Sequence, residues 1–141
     1  MNKTCLVLGL LVAISLHAPS GFASEADSRK KAETAARSWL TLVDSGKYDE
    51  SWKEASGLFR HAVTSAGWAG AIKSARSPLG ALKSRKPKAS QFTRNLPGAP
   101  EGEYVVIQFD ADFEGGGPRV ETITPMLDPD GTWRVSGYFV K

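Results

Sequence analysis

"EYVVIQFDADF" (residues 103–113) is the stretch whose reading decides the fold. Val105, Ile107, Phe109, Ala111 and Phe113 alternate with Tyr104, Val106, Gln108, Asp110 and Asp112. Apolar side chains at every second position give a strand with one face on a core. The chain then runs through Gly115-Gly116-Gly117, a hairpin signal, into "RVETITPML" (119–127), a second strand. "DPDG" (128–131) is a tight turn, and "TWRVSGYFVK" (132–141) is the last strand. In it Trp133, Val135, Gly137 and Phe139 alternate with Arg134, Ser136 and Tyr138, and one of these sets faces the helices. Gly137 is expected to mark a bend or bulge. Upstream, "LPGAPEG" (96–102) is a turn. Residues 79–86 and 89–96 read as weak strands, or as one long strand broken near Pro87. The second half is therefore an antiparallel meander of about four strands.

The first half has the helical period. Ala32, Ala35, Ala36, Trp39, Leu40 and Val43 fall on one stripe, which predicts a helix over about 28–45 with Asp27 or Ser28 as N-cap. Gly46 suits the left-handed position that closes it. A short helix is predicted over 49–56, capped by Asp49, with Trp52 and Ala55 inward. Residues 58–63 fit helix or extended chain equally. Thr64 or Ser65 starts a third helix, with Trp68, Ala71, Ile72 and Ala75 on its apolar face, and Ser77-Pro78 stops it. Helices first and strands afterwards is the pattern of an α+β domain.

At the N-terminus, Lys3 precedes an apolar run from Leu6 to Leu16, and small residues follow at Gly21 and Ala23. This reads as a secretory signal peptide over 1–23, cleaved between Ala23 and Ser24. The apolar run is short for a permanent membrane anchor. A flexible leader with the helix start (24–31) and a single domain (32–141) would follow. Cys5, the only cysteine, falls in the signal peptide, so the exported part has no disulfide, thiol nucleophile or cysteine metal ligand. A periplasmic or secreted protein is expected. The chain has 18 basic and 15 acidic residues, a net charge of +3, too mild to argue for nucleic acid.

The phrases "PLGAL", "LPGAPEGEYVVIQFDADF", "ETITPML" and "DGTWRVSGYFVK" resemble a family of small exported bacterial proteins, domain-of-unknown-function family 4019. The resemblance covers about residues 32–141. It implies an NTF2-like (cystatin-like) cone, in which a curled antiparallel sheet wraps a long N-terminal helix. It transfers no activity, because such folds host enzymes, binders and dimerisation modules alike.

Five features were weighed as sites. Asp110, Asp112, Glu114 and Glu121, with Gly115, match the spacing of a calcium-binding EF-hand loop. If the strand persists to Phe113, its alternate side chains stay about 6.5–7 Å apart in a row and cannot wrap one ion. The preferred reading is therefore a polar outer sheet face ended by a hairpin, with Glu121 beginning the return strand. For the same reason the acid row is a poor catalytic pair. His61 is the only histidine after the leader, and a general base needs a carboxylate beside it. The superfamily resemblance implies an Asp–His pair inside the cone as the enzymatic alternative: a cofactor-free lyase, isomerase or hydrolase. Trp39, Trp52, Phe59, Trp68, Phe109 and Trp133 are read chiefly as core, and as the lining of any ligand cavity. Tyr138 and Phe139 belong to the same aromatic supply. The basic run "KSRKPK" (83–88) is read as a solvated strand or loop. The functional expectation is a binding or interaction module without catalysis or cofactor. Its partner would be a small apolar molecule in the cone, another protein, or a second copy through the sheet.

Overall fold

The computed structural model describes residues 20–141, with side-chain surroundings from residue 24 onward. Four helices come first: α1 (Ser20–Asp44), α2 (Tyr48–Glu54), α3 (Gly57–Ala62) and α4 (Ser65–Arg76). A single 3-10 turn (Ser77–Leu79) leads into four strands, β1 (Leu82–Thr93), β2 (Tyr104–Phe113), β3 (Gly117–Leu127) and β4 (Trp133–Val140). The strands form one antiparallel sheet in sequence order, β1-β2-β3-β4. The fold is α+β, with the helices on one face of an open sheet.

The apolar stripe of α1 lies as predicted, with Ala32, Ala36, Trp39, Leu40 and Val43 buried. The alternation of β2 also holds, since Val105, Ile107, Phe109, Ala111 and Phe113 are all buried. These two surfaces meet. Burying each of the large side chains stabilises the fold by ~1.5–3 kcal/mol. Gly46 ends α1 at φ +72°.

Several expectations change. Helix α1 is described from Ser20, upstream of the start expected near 28, and the backbone at Ala23–Ser24 is helical. The early part is supported by i,i+4 pairs, Glu25–Arg29 at 3.5 Å and Asp27–Lys31 at 2.8 Å. Of residues 1–23, expected to be a signal peptide, 1–19 lie outside the described residues. Asp49 does not cap α2. Lys47 holds that position without a side-chain bond, and Asp49 instead accepts from Ser65 Oγ at 2.8 Å.

Residues 57–62 are helical, making four helices rather than three. Ser56 caps α3 by accepting from the Phe59 amide, and Thr64 caps α4 by accepting from the Gly67 amide. On α4 the buried line is Trp68, Ile72 and Arg76, whereas Ala71 and Ala75 are exposed. The two weak strand candidates are one strand, β1, with a register shift between Pro87 and Ala89.

The last strand shows why a strict alternation misleads. Thr124 pairs with Gly137 and Pro125 with Val135, leaving Ser136 as an extra residue on β4. The side chains therefore change faces there. Trp133 and Val135 are buried, as is most of Tyr138 beyond the bulge, but Phe139 is 50% exposed. Phe139 is not core.

The β2–β3 turn is held by the 3-10 segment. The amides of Gly115 and Gly116 donate to the Leu79 carbonyl at 2.8 and 3.0 Å. A Cβ on Gly116 would stand 2.5 Å from Leu79 Cδ2, and Gly117 has φ +64°, so this turn needs glycine.

Candidate functional site

Register decides where the acids go. In β2–β3 pairing, directly opposite residues share a face. Glu121 pairs with Phe109 and so points inward, 0% exposed, from the middle of β3 rather than from its start. Asp110 and Asp112 lie on the outer face. Lys88 Nζ meets Asp110 at 2.9 Å and Lys83 Nζ meets Asp112 at 3.4 Å. Glu114 is exposed in the turn. The four carboxylates thus sit on both sides of the sheet and do not converge on one point. Among the described residues, no three His, Cys, Asp or Glu side chains are grouped to hold a metal.

The inward Glu121 anchors a cluster of charges that reaches from the buried sheet face out to Asp44 at the end of α1. Arg85 grips it through Nε–Oε1 at 2.6 Å and Nη2–Oε2 at 3.1 Å. The same guanidinium holds Asp44 at 2.7 and 3.0 Å. Arg76 donates to Asp44 at 2.8 Å and stacks over the Phe113 ring at 4.9 Å, while its Nε has no hydrogen-bond partner. Tyr138 donates its hydroxyl to Glu121. The bulge at Ser136 is what turns Tyr138 toward this group. Two arginines and two carboxylates make the cluster electrically neutral, which lowers the cost of burying it.

The protonation states follow from these partners. Burial alone would raise the Asp44 carboxyl, but hydrogen bonds from Arg85 and Arg76 outweigh it and hold its pKa below the ordinary 3.8. Burial would likewise weaken the Arg85 cation, and its bonds to Asp44 and Glu121 reverse this, raising its pKa. Tyr138 is pushed well above 10.0 by burial, reinforced by the negative charge of Glu121. Tyr138 therefore stays a neutral donor, and Asp44, Arg76 and Arg85 keep their charges through the physiological range.

The basic run at 83–88 is thus divided in role. Lys83, Lys86 and Lys88 are exposed, but Arg85 is mostly buried and carries two ion pairs. Sequence reading missed Arg85, Arg76, Asp44 and Glu121 as a group. The available signal was parity: Glu121, Ile123, Pro125 and Leu127 share a face of β3.

The aromatic candidates mostly fill space. Trp39, Phe59 and Trp68 interlock with centroids 5.0–6.3 Å apart. Phe109 is buried against α1, with Arg37 lying 5.0 Å over its ring. Their polar ends are used in the same packing. Trp39 Nε1 donates to the Ser51 carbonyl at 2.7 Å and Trp68 Nε1 to Ser51 Oγ at 2.9 Å. Trp52 is half-buried and donates to the Val63 carbonyl at 2.8 Å. Trp39 and Trp133 also form part of the floor of an open groove of about 500 Å³ between α1, α2 and the start of β4. Lys53, Glu54 and Arg134 stand among the charged residues on its sides.

His61 is on the exposed surface of α3, its Nδ1 2.7 Å from the Gly57 carbonyl one turn back. No carboxylate pairs with it among the described residues.

What these features define is a small helix-on-sheet domain whose interior is occupied by aromatics and a neutral ion cluster. The chain belongs to the family described as protein of unknown function (DUF4019), matched over residues 35–138. No curated protein matches it significantly. No helix of the described residues is long and apolar enough to cross a membrane.

Proposed function

We propose that this is an exported, non-catalytic interaction module of NTF2-like type that binds a protein partner through the outer face of its sheet. The observation that carries this reading is the use of the inward side. The aromatics that would line a cone pocket pack on one another, and the Asp44–Arg76–Arg85–Glu121–Tyr138 cluster occupies the space between helices and sheet. The outer face has no helix on it. The cross-strand row there reads Ala89–Gln108–Thr122–Phe139, with the pairs Gln91–Val106 and Thr124–Gly137 on the same face. Such a mixture of small polar and apolar groups is ordinary for a non-obligate protein interface. Export rests on the basic, apolar and small-residue order of residues 1–23.

A photo-crosslinking residue at Gln108, in cells that make the protein natively, tests this. A discrete protein adduct is expected there and not from Glu54 on the helical side, and Val106→Asp should abolish it. The same adduct from both positions, or none from Gln108, would refute the reading. A second reading has one observation in its favour, the groove over Trp39 and Trp133, whose size suits a small apolar ligand. Quenching of tryptophan fluorescence by such a ligand, lost in Trp133→Leu, would support it over the first.

A further inference from the structure

The sheet has two edges, and the sequence treats them differently. β1 carries Pro87, a register shift beside Lys88, and exposed Lys83 and Lys86. These features discourage the pairing of another strand. Beyond its bulge at Ser136, β4 carries none of them from Gly137 to Val140. Lys141 exchanges both backbone hydrogen bonds with Val120, at 2.9 and 3.0 Å. By the alternation of an antiparallel ladder, Phe139 and Gly137 also bond toward β3, and the N–H and C=O groups of Tyr138 and Val140 point outward. Among the described residues, no hydrogen bond reaches those four groups. The helices use this edge only at Val135, whose carbonyl accepts from the Ser56 amide at 2.9 Å.

Two side-chain positions on the same strand complement each other. Phe139 is the large apolar side chain left exposed among the described residues. Gly137, two residues earlier on the same outer face, leaves a gap, since a Cβ there would meet only Thr124 Cβ at 4.0 Å.

We infer that β4 pairs antiparallel with β4 of a second copy, about a two-fold axis at Tyr138, to make one continuous eight-stranded sheet. In this register Tyr138 exchanges both backbone bonds with the partner's Tyr138, using the groups that point outward. Phe139 lies opposite the partner's Gly137 as a non-hydrogen-bonded pair, the closer kind, at about 4.5 Å between Cα atoms. Each exposed ring covers a bare glycine, and the symmetry does this twice. Pairing stops where Ser56 takes over the edge. This inference does not depend on what the outer face binds, because edge pairing extends that face and leaves its central rows open.

Sedimentation velocity over a concentration series, on protein expressed from the full chain, tests the inference. The wild type should show a reversible dimer. Gly137→Val fills the gap and Phe139→Asp places two carboxylates at the interface, so each should weaken association by about tenfold or more. Both should keep the far-UV spectrum and melting temperature of the monomer, since Gly137 has room and Phe139 is exposed. In the wild type alone, amide exchange at Tyr138 and Val140 should slow as concentration rises. A monomer at every concentration overturns the inference, including the case where the edge takes an extended peptide from another protein. A dimer unmoved by both substitutions also overturns it.

Discussion

Arg85 holds two carboxylates with one side chain, so its replacement exposes the energetics of the whole cluster. Arg85→Met leaves Glu121 in a site with no access to water and without its cation. A loss of ~3–5 kcal/mol in denaturant unfolding is expected. Adding Glu121→Leu removes the stranded charge, leaving Asp44 paired with Arg76. The double variant should then recover much of the loss. If the two substitutions add instead, the cluster is not a coupled unit. At Tyr138 the sign is fixed by its raised pKa. A phenol that ionises later in the folded state than in the unfolded chain contributes stability that is complete below pH 10 and is lost as pH rises beyond it. Tyr138→Phe should therefore flatten the alkaline limb of a melting-temperature profile. Asp44 acts in the other direction: its stabilisation is present above about 3.8 and disappears as pH falls further. His61→Ala, by contrast, touches an exposed ring and should change stability by no more than about 0.5 kcal/mol.

At the scale of elements, the single extra residue on β4 decides which side chains are inside. Deleting Ser136 would bring Gly137 next to Val135, so that strict alternation keeps Tyr138 inward and Phe139 outward without a bulge. The Tyr138–Glu121 bond should survive, and the main loss is the bond from Ser136 Oγ to the Thr124 carbonyl at 2.7 Å. The variant is expected to melt cooperatively and to keep the alkaline limb that Tyr138 gives the wild type. The hairpin offers a second test. Gly116→Val collides with Leu79 and should cost ~1–3 kcal/mol by overpacking, read as a shift in denaturant midpoint.

The same elements show what was legible in the sequence. The α1 stripe and the β2 alternation are long and regular, so their faces could be read directly. Six-residue α3 carries too few turns to show a period, and its cap at Ser56 is the main local signal. Arg85 and Glu121 were unreadable as partners because each sits in a stretch whose other charges are solvated. Only the register of β1, β2 and β3, set by hairpin lengths, brings them onto the inner face. Phe139 was misplaced for a related reason: a bulge changes parity without changing composition, and Gly137 signalled its place but not its effect on the residues beyond.

For the molecule as a whole, the helices cover one side of the sheet and their space is filled by aromatic packing and a neutral charge cluster. Partner binding is proposed on the outer face and the β4 edge, the surfaces of the sheet that no helix covers. Native mass spectrometry of the protein recovered from the cells that make it tests this most directly. Polypeptide masses without a bound small molecule are expected, in assemblies with protein partners or a second copy. A stoichiometric small molecule, retained by the folded monomer and released on denaturation, would contradict it.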